Sequence, residues 1–160
     1  MFKVDDLVIH SREGLSKIAA INVMNGKEYF LVHVNRSSGE TIYVPVETAD
    51  RIIRPLMDKK EADKLLKYVK TIEKEYNSNT KQRRDAYKRR ISSGDVKEIA
   101  YLARQLYFYK KDEGKEIKLG PVDLDILNYA ENMLLDEFAI TYNVSREDIS
   151  SFIEKRIESL

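Results

Sequence analysis

The stretch RIIRPLMDKKEADKLLKYVK, residues 51–70, is where the chain changes character. Up to Arg54 and Pro55 the residues are β-branched and punctuated by turns. From Asp58 onward the period changes. Asp58 and Glu61 form a capping-box pattern, in which each side chain can satisfy the other's backbone N–H at a helix start. Ala62, Leu65, Leu66, Val69, Ile72 and Tyr76 then recur at helical spacing. The chain therefore divides into a β domain, residues 1–57, and an all-α domain, residues 58–160.

Working upstream, Phe2–His10 and Leu15–Met24 are strand-like runs separated by the polar turn SREG. Asn25 and Gly26 then supply a hairpin signal, because a type I′ turn needs positive φ at both central residues. This turn joins Ile18–Met24 to Glu28–Asn35. In the second of these strands Tyr29, Leu31, His33 and Asn35 alternate with Phe30, Val32 and Val34. SSGE, residues 37–40, makes the next turn. Thr41–Val46 follows as a strand whose Pro45 suits an edge or a strand end. Four or five short antiparallel strands in so short a segment predict a strongly bent sheet or partly open barrel, since a flat sheet would have too little core.

Working downstream, residues 77–80 (NSNT) interrupt the first helix and Lys81–Ser92 reads as a second. Asp95 and Glu98 cap a third, with Val96, Ile99, Ala103 and Leu106 on its stripe. Pro121 opens a fourth carrying Leu127, Ala130, Leu134 and Phe138, and Ser145 and Asp148 start a fifth. The fold class is α+β, with about five helices in the second domain.

Composition limits the chemistry. The chain has 160 residues, 42% hydrophobic and 34% charged, with no cysteine and no tryptophan. Disulfides and thiolate metal sites are excluded, and the composition fits a reducing cytosol. No run of about 18 apolar residues suggests a membrane span. The N-terminus lacks the basic start and apolar core of a signal peptide. His10 and His33 are the two histidines, both in strand patterns, and neither has metal-ligand spacing. The six glycines stand singly in turns, so no phosphate-cradling loop occurs. No catalytic constellation emerges; neither an enzyme nor a cofactor is expected.

The formal net charge of +1 conceals two opposed regions: residues 77–111 carry ten basic against three acidic side chains, and residues 112–160 five against twelve. The excess is densest in NTKQRRDAYKRRISSGD, residues 79–95. On a helix Lys81, Arg84 and Lys88 form one row, and Arg83 and Arg90 another. Tyr87 and Ile91 lie between as a narrow apolar strip. Arginine suits phosphate because its planar fork binds two oxygens at once. The row is either a nucleic-acid contact or a solvated face matched within the fold by the acidic region.

The order of motifs resembles the CarD/CdnL family of bacterial RNA-polymerase-binding transcription regulators, and the related module of the transcription–repair coupling factor. The residues that carry the resemblance are FKVDDLVIH at 2–10, Gly14 leading a strand, EYFLV at 28–32 and VPVETA at 44–49. They continue with Arg83, SGDV at 93–96 and LARQLY at 102–107. The resemblance covers nearly the whole chain.

It implies a Tudor-like β domain that docks on the polymerase β subunit by strand pairing, a mode in which main-chain bonds supply affinity. The matching edge would be Ile21, Asn22, Val23 and Met24, with Tyr43 on a neighbouring strand. It further implies a helical domain that contacts double-stranded promoter DNA near the upstream edge of the −10 element and slows collapse of the open complex. Thr80, Lys81, Arg83, Arg84, Lys88, Arg89 and Arg90 would face the DNA, mostly its phosphates. The alternative from a different class is a protein-interaction adaptor with no functional DNA contact. A cytoplasmic, nucleoid-associated monomer is expected.

One departure stands out. Relatives place a tryptophan just before the basic helix, where it wedges at the fork of the opening duplex; here that position is Thr80. Threonine offers no apolar plane for such a wedge. Either another residue does this work or the chain grips the backbone alone. Tyr107, Phe108 and Tyr109 lie within sequence reach but read as core. Gln82 and Asp85 also stand where relatives often carry a cation, so a less penetrating DNA contact is expected.

Overall fold

The computed structural model describes residues 1–36 and 40–160. It divides into two compact units, Met1–Met57 and Asp58–Leu160. Most of the expected SSGE turn lies outside the described residues.

The first unit is a five-stranded antiparallel sheet: β1 Leu7–His10, β2 Gly14–Met24, β3 Lys27–Val34, β4 Thr41–Pro45 and β5 Ile53–Pro55, in the order β4-β3-β2-β1-β5. Asn25 (φ 52°) and Gly26 (φ 76°) make the tight turn between β2 and β3, both in the left-handed region that a type I′ hairpin requires. Phe30, Val32 and Val34 point into the core as their alternation demands, joined by Val8, Ile18, Val44, Ala49 and Ile53. Pro45 ends an edge strand, where its missing N–H leaves no ladder bond unmade. A 3-10 turn, Val46–Arg51, then carries the chain to β5. The first strand is shorter than the predicted Phe2–His10. Asp6 accepts from the Lys3 N–H at 2.8 Å and Asp5 adopts φ 77°, so residues 2–6 turn before β1 begins.

β2 is the longest strand and serves two neighbours unequally. Leu7–His10 of β1 pairs only with Gly14–Lys17 of β2. Past an irregularity between Ile18 and Ala20, β2 continues against β3 alone as far as Met24. Among the described residues, no strand pairs with the other edge of Ala20–Met24. A bulge of this kind bends the strand away from its neighbour.

The second unit consists of α1 Lys59–Thr71, α2 Thr80–Ser92, α3 Val96–Lys111, α4 Pro121–Tyr142 and α5 Ile149–Ser159. The capping box at α1 is fully formed between Asp58 and Glu61. Pro121 stands in the first turn of α4, and Asn143 (φ 54°) closes that helix in the left-handed conformation. Tyr87, Ile99, Leu102, Leu106, Leu127, Ala130 and Met133 form a core shared by α2, α3 and α4. Asp63 of α1 accepts hydrogen bonds from Tyr142 of α4 and Arg156 of α5, tying three helices together. The Arg156 hydrogen bond is the main reason that the Asp63 carboxyl is held below its ordinary pKa.

The first helix stops sooner than its apolar spacing predicted. Residues 72–79 run without regular structure, and their backbone groups find side-chain partners instead. The buried Gln105 amide on α3 donates to the Glu73 carbonyl at 2.8 Å and accepts from the Glu75 N–H at 3.0 Å, as a neighbouring peptide group would. Tyr76 donates its hydroxyl to the Lys118 carbonyl at 2.9 Å. This strap delivers the chain to the start of α2, where Asn79 caps the helix by accepting from the Gln82 N–H.

Candidate nucleic-acid interface

α2 is almost entirely polar, and Tyr87 and Arg83 are its buried residues. Arg83 lies one turn before Tyr87 and two before Ile91, on the stripe that packs inward. Its guanidinium is 4% exposed and binds Asp123 of α4, which is fully buried. Nε and Nη2 of Arg83 donate to the same Asp123 oxygen at 3.0 and 2.8 Å, and Nη1 donates to the Asn77 carbonyl at 2.9 Å. This corrects the expectation that Arg83 faces phosphate: all its directed contacts point into the protein. Burial, with the nearby Asp123 charge adding to it, raises the Tyr87 hydroxyl pKa.

The remaining cations fall into two groups. Lys81, Lys88 and Arg89 are exposed, and Thr80 is exposed beside them at the start of the helix. Lys81 pairs with Asp85 at 3.0 Å across one turn, an interaction that holds the Asp85 carboxyl below its ordinary pKa. Exposed pairs of this kind contribute little and yield readily to a better ligand. Arg84 and Arg90 are half-buried. Arg90 binds Glu98 of α3 at 2.6 Å, and its guanidinium lies 3.7 Å above the ring of Tyr101. Arg90 thus anchors α2 to α3 while keeping part of its surface open. Ala86, Arg89, Arg90, Ser93, Asp95 and Glu98 line an open depression at this elbow.

The acidic region does not match the whole basic row. Of the acidic residues in 112–160, Asp123 takes Arg83, while Asp136 binds Arg146 and Glu131 binds Lys110. Sequence reasoning missed Asp123, Glu98, Tyr101 and Gln105 as the groups that set the position of α2. The spacing of Arg83 with Tyr87 and Ile91 was the one available signal.

On the β unit, Ile21, Asn22, Val23, Met24 and Tyr43 are all exposed. Val23 is 68% exposed and Tyr43 54%, high values for large apolar or aromatic side chains in strands. Register divides them between two faces. Phe30 pairs with Ile21 and Val44, whereas Leu31 pairs with Ala20 and Tyr43. Directly opposed residues share a face, so Tyr43 lies on the side of Asn22 and Met24, and Ile21 and Val23 lie on the other. The open edge of β2 runs between them. Among the described residues it is a length of unpaired backbone donors and acceptors, with apolar side chains on both sides, the features on which strand addition relies.

No helix of the described residues is long and apolar enough to cross a membrane, and no cluster of His, Asp and Glu among them is arranged to hold a metal ion.

Two family models match the chain. One, described as the CarD-like/TRCF RID domain, matches residues 2–57, and the other, the CarD C-terminal domain, matches residues 64–154. Both units are thus accounted for in the order in which the chain carries them, and the chain belongs to the CarD/CdnL family, as a transcription regulator that binds RNA polymerase.

Proposed function

We propose that this regulator docks on the polymerase β subunit by adding a strand at the open edge of Ala20–Met24, and that α2 then lies along the promoter backbone near the upstream edge of the −10 element. There it stabilises the open complex. The observation that carries the DNA contact is the outward row of α2: Lys81, Lys88 and Arg89 are exposed, while Arg83 and Arg90 hold the helix in place from behind. Phosphate contacts of this kind position a protein without reading sequence. Docking through the β unit raises the local concentration of α2 at the promoter, so weak intrinsic affinity suffices. The protein works as a cytoplasmic monomer and catalyses no reaction of its own.

With Thr80 at the head of α2, the contact is a backbone grip rather than an apolar wedge. A threonine side chain cannot replace the stacking that a wedge disrupts.

Strand addition and DNA contact separate by mutation. Val23→Asp places a carboxylate beside the open edge and should weaken binding to an isolated β-lobe fragment at least about tenfold, as a buried unpaired charge does. The combined change Lys88→Glu, Arg89→Glu should leave that binding intact and remove the effect on DNA. An undiminished effect on transcription by the second variant would favour the adaptor reading.

A further inference from the structure

The outer stripe of α3 has a pattern that the proposed backbone grip does not use. Lys97, Tyr101, Arg104, Phe108 and Lys111 recur at steps of four and three residues, which places them on one face of the helix. Cations and rings alternate along it. Lys97 and Lys111 are exposed, and Tyr101, Arg104, Phe108 and the adjoining Tyr107 are half-buried. Tyr107 and Phe108 are therefore not core residues, contrary to their sequence reading.

The cations lie against the rings. The Arg104 guanidinium is 4.5 Å from the Tyr107 ring and 5.0 Å from that of Phe108, which meet edge to face. Lys111 lies 5.7 Å from Tyr107, and Lys97 lies 5.3 Å from Tyr68 of α1. The only acidic residue of α3 is Glu98, which is taken by Arg90. Arg104 forms no ion pair among the described residues, and its Nε has no hydrogen-bond partner there. At its N-terminal end the stripe meets α2 through the stack of Arg90 on Tyr101.

We infer that this face of α3 binds an unpaired DNA strand, with Phe108 and Tyr107 offering planes for bases and Arg104, Lys111 and Lys97 taking the phosphates. A duplex hides the faces of its bases, so half-buried rings set between cations gain nothing from it; a single strand presents both base faces and phosphates. Arginine held against a ring also contributes its own planar surface to stacking. The contact compensates chemically for Thr80: aromatic planes absent at the head of α2 are present on the neighbouring helix. The binding chemistry stands independently of α2; only its place at a melted promoter rests on the function proposed above.

The test uses the full chain at low ionic strength, with a fluorescently labelled oligothymidine and a duplex of the same length. Phe108→Ala and, separately, the exposed Lys111→Glu should each weaken oligothymidine binding about fivefold or more while leaving duplex binding within about twofold. Phe108→Tyr should restore it, since the plane is kept. Lys88→Glu with Arg89→Glu should weaken duplex binding more than oligothymidine binding. If only this last expectation fails, the role of α2 is lost and that of α3 stands. Absence of saturable oligothymidine binding, or equal loss for both DNAs in the α3 variants, would overturn the inference, as would wild-type affinity for oligothymidine in Lys111→Glu and Phe108→Ala.

Discussion

Arg83 and Asp123 stand 40 residues apart in the chain and meet in the interior of the helical unit, 2.8 Å between guanidinium and carboxylate. One end of the pair belongs to the basic helix and the other to the first turn of α4. A charge that reads in the linear sequence as one of several DNA contacts is instead the bolt that holds the basic helix in position. Because Arg83 also binds the Asn77 carbonyl, the same side chain fixes the strap leading into α2.

Removing one member of this pair leaves the other buried and uncompensated. Arg83→Ala should therefore cost about 3–5 kcal/mol of stability, whereas replacing both partners by apolar residues, Arg83→Met with Asp123→Leu, should recover much of the loss. Lys88→Ala, on the exposed side, should change stability by no more than about 0.5 kcal/mol. Chemical denaturation of the three variants makes the comparison. An Arg83→Ala protein as stable as Lys88→Ala would refute the structural role.

The strap makes a second demand. Gln105→Leu keeps the approximate size of the side chain but removes both bonds to the backbone of Glu73 and Glu75. Leaving such groups unsatisfied costs about 1–3 kcal/mol. Amide exchange at Glu75 should accelerate in the variant, while exchange within the β unit should not change. Unaltered protection at Glu75 would mean that Gln105 does not hold the strap.

His10 makes the β unit acid-sensitive. It is buried, and its Nδ1 accepts from the N–H groups of Arg12 and Glu13 at 3.1 and 3.2 Å, which requires the unprotonated nitrogen. Burial lowers its pKa below the ordinary value of 6.5. The unfolded chain thus takes up a proton at a higher pH than the folded one, and the contribution is present above pH 6.5 and lost as pH falls through the lower folded value. Thermal unfolding of the wild type should show this loss on acidification, and His10→Asn should reduce it. An identical pH dependence in the variant would exclude His10 as its source.

The phosphate contacts carry a salt signature. Duplex affinity should fall linearly with salt in log–log terms, and Lys88→Ala should make the slope shallower by about one, the value for a single neutralised phosphate. A slope unchanged by Lys88→Ala and Arg89→Ala together would remove these residues from the interface.

Features set by neighbouring residues were legible before the structure. Asn25 and Gly26 announce their hairpin because positive φ is a local requirement, and Asp58 with Glu61 announces α1 because a capping box spans one turn. β3 reveals its inward face through strict alternation. Features set by distant partners were not legible. Ile72 and Tyr76 continue a helical spacing, yet the helix ends at Thr71 because Gln105, some thirty residues later, satisfies an extended backbone. Arg83 reads as surface until Asp123 is brought to it. The open edge of β2 was anticipated from family resemblance rather than from local pattern, since it depends on where β1 stops.

The most direct test of the central claim is the lifetime of a polymerase–promoter open complex, measured by challenge with a competitor after it has formed. The wild-type protein should lengthen that lifetime, and the variant carrying Lys81→Glu, Lys88→Glu and Arg89→Glu should not, although it still binds the polymerase. An unchanged lifetime with wild-type protein demonstrably bound to polymerase, on several promoters, would contradict the account.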